Sequence, residues 1–171
     1  MLKAVLIIGF VASCGFLGAI KAWELKERIV LLEDFRKMLL QIKGRMNYFR
    51  EPLTTMADDN GKKHDSRAFK LFNEAGTALT EKNAEMNEIW AQEAAKIYKG
   101  AYLTADDMEL IKYPGSFLGQ TDWENHQARF DFLEKRLQEQ LDDARNAYTV
   151  KGPLYRKIGF FAGGLVSIIF I

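Results

Sequence analysis

The chain is short of the residues that interrupt or cross-link folds. One cysteine, Cys14, stands among 171 residues, which excludes an intramolecular disulfide framework and any cysteine-rich zinc site. Three prolines and no low-complexity stretch leave little to break helices. Period-two alternation never runs beyond four residues, so no strand is expected. The net charge of +1 gives no electrostatic case for binding nucleic acid.

Acidic residues are missing from both ends. No Asp or Glu precedes Glu24 or follows Asp143. What stands there instead is apolar: AVLIIGFVASCGFLGAI from Ala4 to Ile20, and IGFFAGGLVSIIFI from Ile158 to Ile171. As helices these runs span about 25 Å and about 21 Å, against a hydrocarbon core of roughly 30 Å. Leu154 and Tyr155 extend the second run if Arg156 and Lys157 snorkel to the headgroups. The layout expected is an N-terminal transmembrane helix over 1–22, a helical bundle over 23–153 and a C-terminal membrane helix over 154–171.

Two other readings of the N-terminus stay open. Lys3 and the apolar stretch fit a cleaved signal peptide, although no good small-x-small site precedes Trp23. Val11-Ala12-Ser13-Cys14 resembles a lipoprotein signal, but six more apolar or small residues follow the cysteine before the first charge. The alternative function is accordingly a lipid-anchored or exported helical binding protein acting outside the cytoplasm. The membrane-helix reading sets the orientation. Lys21, Lys26 and Arg28 follow the first run, and Lys151, Arg156 and Lys157 precede the second. Positive flanks stay inside, so the middle domain is expected in the cytoplasm.

Between the runs the spacing is helical. Leu25, Ile29, Leu32, Phe35, Leu39, Ile42, Met46 and Phe49 form one stripe at steps of three and four. Pro52 ends that helix and starts a short one to Asp59. Ser66 caps a helix with Phe69, Phe72, Ala75 and Leu79 inward, and Met86, Ile89, Trp90, Ala94 and Ile97 mark the next. Thr104–Asp107 and Thr121–Glu124 read as capping boxes. Behind the second, Trp123, Gln127, Phe130, Leu133, Leu137, Leu141, Ala144 and Tyr148 give a long stripe, expected to break at Gly152-Pro153. The fold expected is all-α, an antiparallel bundle of about six helices.

Catalytic patterns are scarce. Neither His64 nor His126 has the Glu-x-x-His partner of a carboxylate metal site, and both read as solvated. Glu81, Glu85 and Glu88 read as an exposed helix face. There is no Gly-x-x-x-x-Gly-Lys-[Ser/Thr] loop to cradle phosphate and no Gly-x-Ser-x-Gly elbow. Cys14 lies in an apolar run where a thiolate would be poorly stabilised. No enzyme, cofactor, metal or small-molecule substrate is expected.

The remaining signals are surfaces. Gly159 and Gly163 in the last run, and Gly15 and Gly18 in the first, are small residues that let another helix approach closely. Trp90 and Trp123 read as core.

Phe117-Leu-Gly-Gln-Thr-Asp-Trp-Glu-Asn-His-Gln127 carries more than a helix start. Leu118-Gly119, then Thr121-Asp122, then Gln127, resembles the leucine-glycine, serine/threonine-aspartate, glutamine signature of the stage III sporulation protein AB family. Leu25-Lys-Glu-Arg28, Pro52-Leu53, Leu71-Phe72, Trp90 and Tyr155-Arg-Lys-Ile-Gly159 agree with it, so the resemblance covers nearly the whole chain. It implies a component of the membrane complex linking mother cell and forespore. That family's soluble domain is similar to the cytoplasmic domains of the inner-membrane platform proteins of type II secretion and type IV pilus systems. A platform of this kind couples a separate cytoplasmic ATPase, here stage III sporulation protein AA, to the other parts of the complex. Self-association is also open. Within the signature, Leu118, Gly119, Asp122 and Gln127 are the candidate interaction residues. Helix capping by Thr121 and packing of Leu118 are the plainer account of the same segment.

Overall fold

The computed structural model describes the backbone of residues 2–49, 66–81, 85–118 and 123–170, and side chains of 13, 15–46, 66–81, 85–118, 126–155, 157–158 and 161. Among the described residues every regular element is helix: α1 (Leu2–Phe49), α2 (Arg67–Glu81), α3 (Met86–Ile97), α4 (Ala105–Lys112), the single turn α5 (Gly115–Leu118) and α6 (Trp123–Phe170). The short helix expected over 52–59 and the second capping box at Thr121 lie outside the described residues. The all-α class holds, and α5 is a turn of helix that the sequence reading placed in no element.

The chain divides into two compact units. One is Val30–Leu141; the other joins Met1–Ile29 and Asp142–Ile171. In the first, Leu32, Phe35, Leu39, Ile42 and Met46 of α1 are buried, as their spacing predicts. Phe130, Leu133, Leu137 and Leu141 of α6 are buried too. The two helices run antiparallel here: Arg36 Nη2 lies 3.7 Å from Glu134 Oε1, while Lys43 Nζ reaches Asp131 Oδ1 at 2.6 Å and Glu134 Oε2 at 3.3 Å.

The shorter helices complete this unit. Ser66 caps α2 by accepting the Phe69 amide at 3.5 Å. Phe69, Leu71, Phe72 and Ala75 are buried. Helix α3 packs on α2, α4 and α5, with Trp90 fully buried between them. The Thr104 box is formed in both directions: Thr104 Oγ1 accepts the Asp107 amide at 3.2 Å and Asp107 Oδ2 accepts the Thr104 amide at 2.9 Å. Gly100, at φ 73°, takes the left-handed conformation that ends the turn after α3.

The other unit differs in what it buries and what it exposes. Its buried side chains include the small Ala22 and Ala144 (0% and 1% exposed). Among its described large apolar side chains, Phe16, Leu17, Trp23, Val150, Leu154, Ile158 and Phe161 are between 49% and 72% exposed, while Ile20, Leu25 and Ile29 are half-buried. Among the described residues, no helix is long and apolar enough to cross a membrane. Most side chains of the Ala4–Ile20 and Ile158–Ile171 runs lie outside those described.

Two expectations need correction. Gly152-Pro153 does not break α6, which continues as helix to Phe170 with Pro153 inside it. Proline removes one helical hydrogen bond and normally crowds the Cβ of the residue before it. Gly152 has no Cβ, and the position its Cβ would fill lies 3.4 Å from the Tyr148 ring. The second correction is His126, which is 4% exposed rather than solvated.

Candidate interaction surface

The segment singled out in the sequence ends α5 and begins α6. Pro114 opens the turn, its carbonyl accepting the amides of Phe117 (3.1 Å) and Leu118 (2.9 Å). That fold-back drives Phe117 and Leu118 inward, to 0% and 2% exposure. Gly119 and Asp122 lie outside the described residues. Gln127 is exposed on α6 and His126 takes the inward place beside it, its ring 5.8 Å from that of Phe117. The stripe on α6 is therefore entered at His126, four residues before Phe130. Leu118 belongs to the core and Gln127 to the surface. The described residues do not bring the two together as one site.

Around this turn lies an aromatic cluster. Phe117 meets Phe130 edge-on at 5.0 Å, and Tyr113 lies 5.6 Å from Phe117 and 5.8 Å from Phe132. Phe132 remains 51% exposed. Gly15 and Gly18 are half-buried on α1; Gly159 and Gly163 fall on α6 where side-chain surroundings are outside the described residues. Glu81, Glu85 and Glu88 are exposed, as their pattern predicts. Among the described residues, no group of three or more His, Cys, Asp or Glu is placed to hold a metal ion.

Two charged features escaped the sequence reading. One is the cluster of Arg36, Lys43, Asp131 and Glu134 joining α1 to α6, where the hydrogen bond to Asp131 holds the Lys43 ammonium above its usual range, against partial desolvation. The other is a cleft lined by Arg67, Lys70 and Glu74 of α2 and by Lys96 and Ile97 of α3. Next after Ile97 in the chain, Tyr98 is 4% exposed. Burial pushes its phenol above the ordinary tyrosine range; the charge of Asp34 adds to this and that of Arg67 opposes it. The one available signal for the cleft was Arg67-x-x-Lys70, two cations on one helix face.

The family model for stage III sporulation protein AB matches residues 3–171. The chain belongs to that family. It is 22% identical over 169 residues to stage III sporulation protein AB of Bacillus subtilis (strain 168), covering 99% of each chain. A solved structure of stage III sporulation protein AB (SpoIIIAB) superposes with a TM-score of 0.65 at 22% identity, covering 72% of this chain and 97% of that one. That likeness concerns the fold. The family is named for sporulation rather than for a reaction, and it ties this chain to a sporulation role.

Proposed function

We propose that this chain is a non-enzymatic, membrane-anchored platform of the secretion-like complex between mother cell and forespore, required for endospore formation. The observation that carries the anchoring is the exposure of large apolar side chains on the unit Met1–Ile29 with Asp142–Ile171: Phe16, Leu17, Trp23, Val150, Leu154, Ile158 and Phe161 face out while Ala22 and Ala144 are buried. In water that arrangement leaves apolar surface exposed at about 25 cal/mol per Å². In lipid there is no such penalty, and close packing of small residues is what holds helices together. The apolar runs Ala4–Ile20 and Ile158–Ile171, both on that unit, support the same reading. Their basic flanks orient the bundle toward the mother-cell cytoplasm.

On this reading the energy source is separate. The chain has no phosphate-cradling loop, and family similarity to secretion platforms makes stage III sporulation protein AA, an ATPase, the partner that the bundle holds at the membrane. The test is affinity purification of the full chain in detergent from sporulating cells, with and without the ATPase gene. Recovery of the other stage III complex components in both strains, with the ATPase only in the first, is expected. Recovery of the ATPase in the soluble fraction alone, with none bound to this chain, would reject the coupling.

A further inference from the structure

Helices α2 and α3 pack side by side within the unit Val30–Leu141, and a cleft of about 320 Å³ opens along them. Arg67, Lys70 and Glu74 recur at steps of three and four, so they share one face of α2. Lys96 and Ile97 close the cleft from the last turn of α3. Three cations line this cleft with Glu74, and Glu93 beside Lys96 is the second carboxylate near it.

Their pairing sets these cations apart. Lys43 bridges Asp131 and Glu134, and Arg136 pairs with Glu139 at 2.9 Å. Lys96 is held by Glu93 of its own helix at 3.0 Å. Arg67 and Lys70 are exposed and make no side-chain hydrogen bond or ion pair among the described residues. They stand unpaired at the wall of a concave site, Lys70 four residues from Glu74 on the same face, where a low-dielectric surface strengthens attraction for an anion.

The geometry also discriminates between anions. The start of α2 and the end of α3 meet at this cleft, so their dipoles oppose each other and the positive field belongs to the side chains. Ser66 already takes the Phe69 and Lys70 amides, at 3.5 Å and 3.0 Å. A compact phosphate site needs several amides converging on one point. What stands here instead is a row of flexible side chains along α2, the cations Arg67 and Lys70 roughly 5–6 Å apart at one end and Glu74 at the other, with the half-buried Ile97 beside it. That row suits carboxylates distributed along a chain.

We infer that the cleft between α2 and α3 binds an acidic segment of a partner protein, carboxylates against Arg67 and Lys70 and an apolar side chain on Ile97. Glu74 repels a further carboxylate at its end of the row and so limits how far the acidic stretch extends. The inference rests on the platform reading only in that the chain works by docking other proteins.

The probe is a short fluorescein-labelled peptide alternating Glu and Leu, titrated with the full chain in neutral detergent micelles at low salt and followed by anisotropy. Lys70→Glu is expected to weaken binding about tenfold or more, while Lys135→Glu, the same charge change on the exposed face of α6, leaves it unchanged. A peptide with Gln in place of Glu should not bind. Equal loss in both variants, or equal binding of the Gln peptide, overturns the inference. Displacement of the peptide by inorganic phosphate or by phosphatidylglycerol vesicles at matched charge overturns it too, assigning the cleft to small anions or lipid headgroups. Lys70→Gln, which removes charge without reversing it, replaces Lys70→Glu if the latter melts early. The platform reading fails separately: peptide binding that separates Lys70→Glu from Lys135→Glu, in a chain that recovers no ATPase from cells, keeps the cleft and rejects the platform.

Discussion

Trp90 donates its indole N–H to the carbonyl of Ile111 at 2.7 Å, inside the core where Trp90 and Ile111 are both fully buried. Ile111 lies one residue from the end of α4, among the last carbonyls that a helix leaves without an internal partner. The indole thus fills a helix-end vacancy from a neighbouring helix. Trp90→Phe removes the donor and some volume together. It should cost about 2–4 kcal/mol, from a buried carbonyl left unsatisfied and a partial cavity. Urea unfolding of the full chain in micelles measures it.

Gly115 sits against the same tryptophan. A Cβ there would fall 2.7 Å from Trp90 Cβ and 3.2 Å from the Asn87 backbone. Neither atom is the free end of a flexible chain, so α3 and α5 must move apart. Gly115→Ala should destabilise by about 1–3 kcal/mol, even though alanine is ordinarily the better helix former. A melting temperature at or above wild type would show that the two elements can separate without cost.

Tyr98 predicts an alkaline effect with a definite sign. Its hydroxyl is buried with no hydrogen-bond partner among the described residues. Below the ordinary tyrosine value of 10.0 the phenol is protonated folded and unfolded, and contributes no pH dependence. Above it the unfolded chain releases the proton while the folded chain keeps it. The unfolded state then binds fewer protons and stability falls, by about 1.4 kcal/mol per pH unit. Tyr98→Phe should lose that component of the decline while being neutral or up to about 1 kcal/mol more stable at pH 7. Parallel urea titrations at pH 7 and pH 11 compare the two.

Topology admits a direct check. In a Cys14→Ser background, Asp58→Cys introduces a single thiol in the stretch between α1 and α2. If the basic flanks orient the chain as proposed, that thiol should resist a membrane-impermeant maleimide applied to intact mother-cell protoplasts and react after lysis. Labelling before lysis would place the bundle outside the cytoplasm and put any ATPase beyond its reach.

How much of this was written in the sequence varies with distance along the chain. The stripe Leu32, Phe35, Leu39, Ile42 was legible because a helix buries a face by local period alone. The Thr104–Asp107 box was legible because both partners lie within one turn. His126 was misplaced because the phase at the start of α6 is set by Phe117, a ring on another element, and Gln127 one residue away satisfies the same period. Pro153 was misread for a local reason: Gly152 has no Cβ to crowd the proline ring, which eases one of the conflicts that end a helix before proline. Lys43 with Asp131 and Glu134 could not be foreseen, since |i−j| is 88 and 91 and charge pairing leaves no periodic trace. The cleft was hidden likewise, its two walls lying on separate helices.

The Leu118–Gln127 segment separates packing from recognition because its two ends now have different surroundings. Leu118 is 2% exposed, so Leu118→Ala should cost about 2–5 kcal/mol whatever the segment does in cells. Its sporulation defect would be uninformative. Gln127 is exposed on α6, and Gln127→Ala should stay within about 0.5 kcal/mol of wild type. Asp122→Asn should lose only a few tenths, roughly the worth of a charge near a helix start. If these two changes block sporulation while the purified full chain melts within a degree or two of wild type (about 0.5 kcal/mol for a domain of this size), the signature is a contact surface. If sporulation follows melting temperature across Leu118→Ala, Asp122→Asn and Gln127→Ala alike, the signature is the capping and packing of α6 and carries no partner.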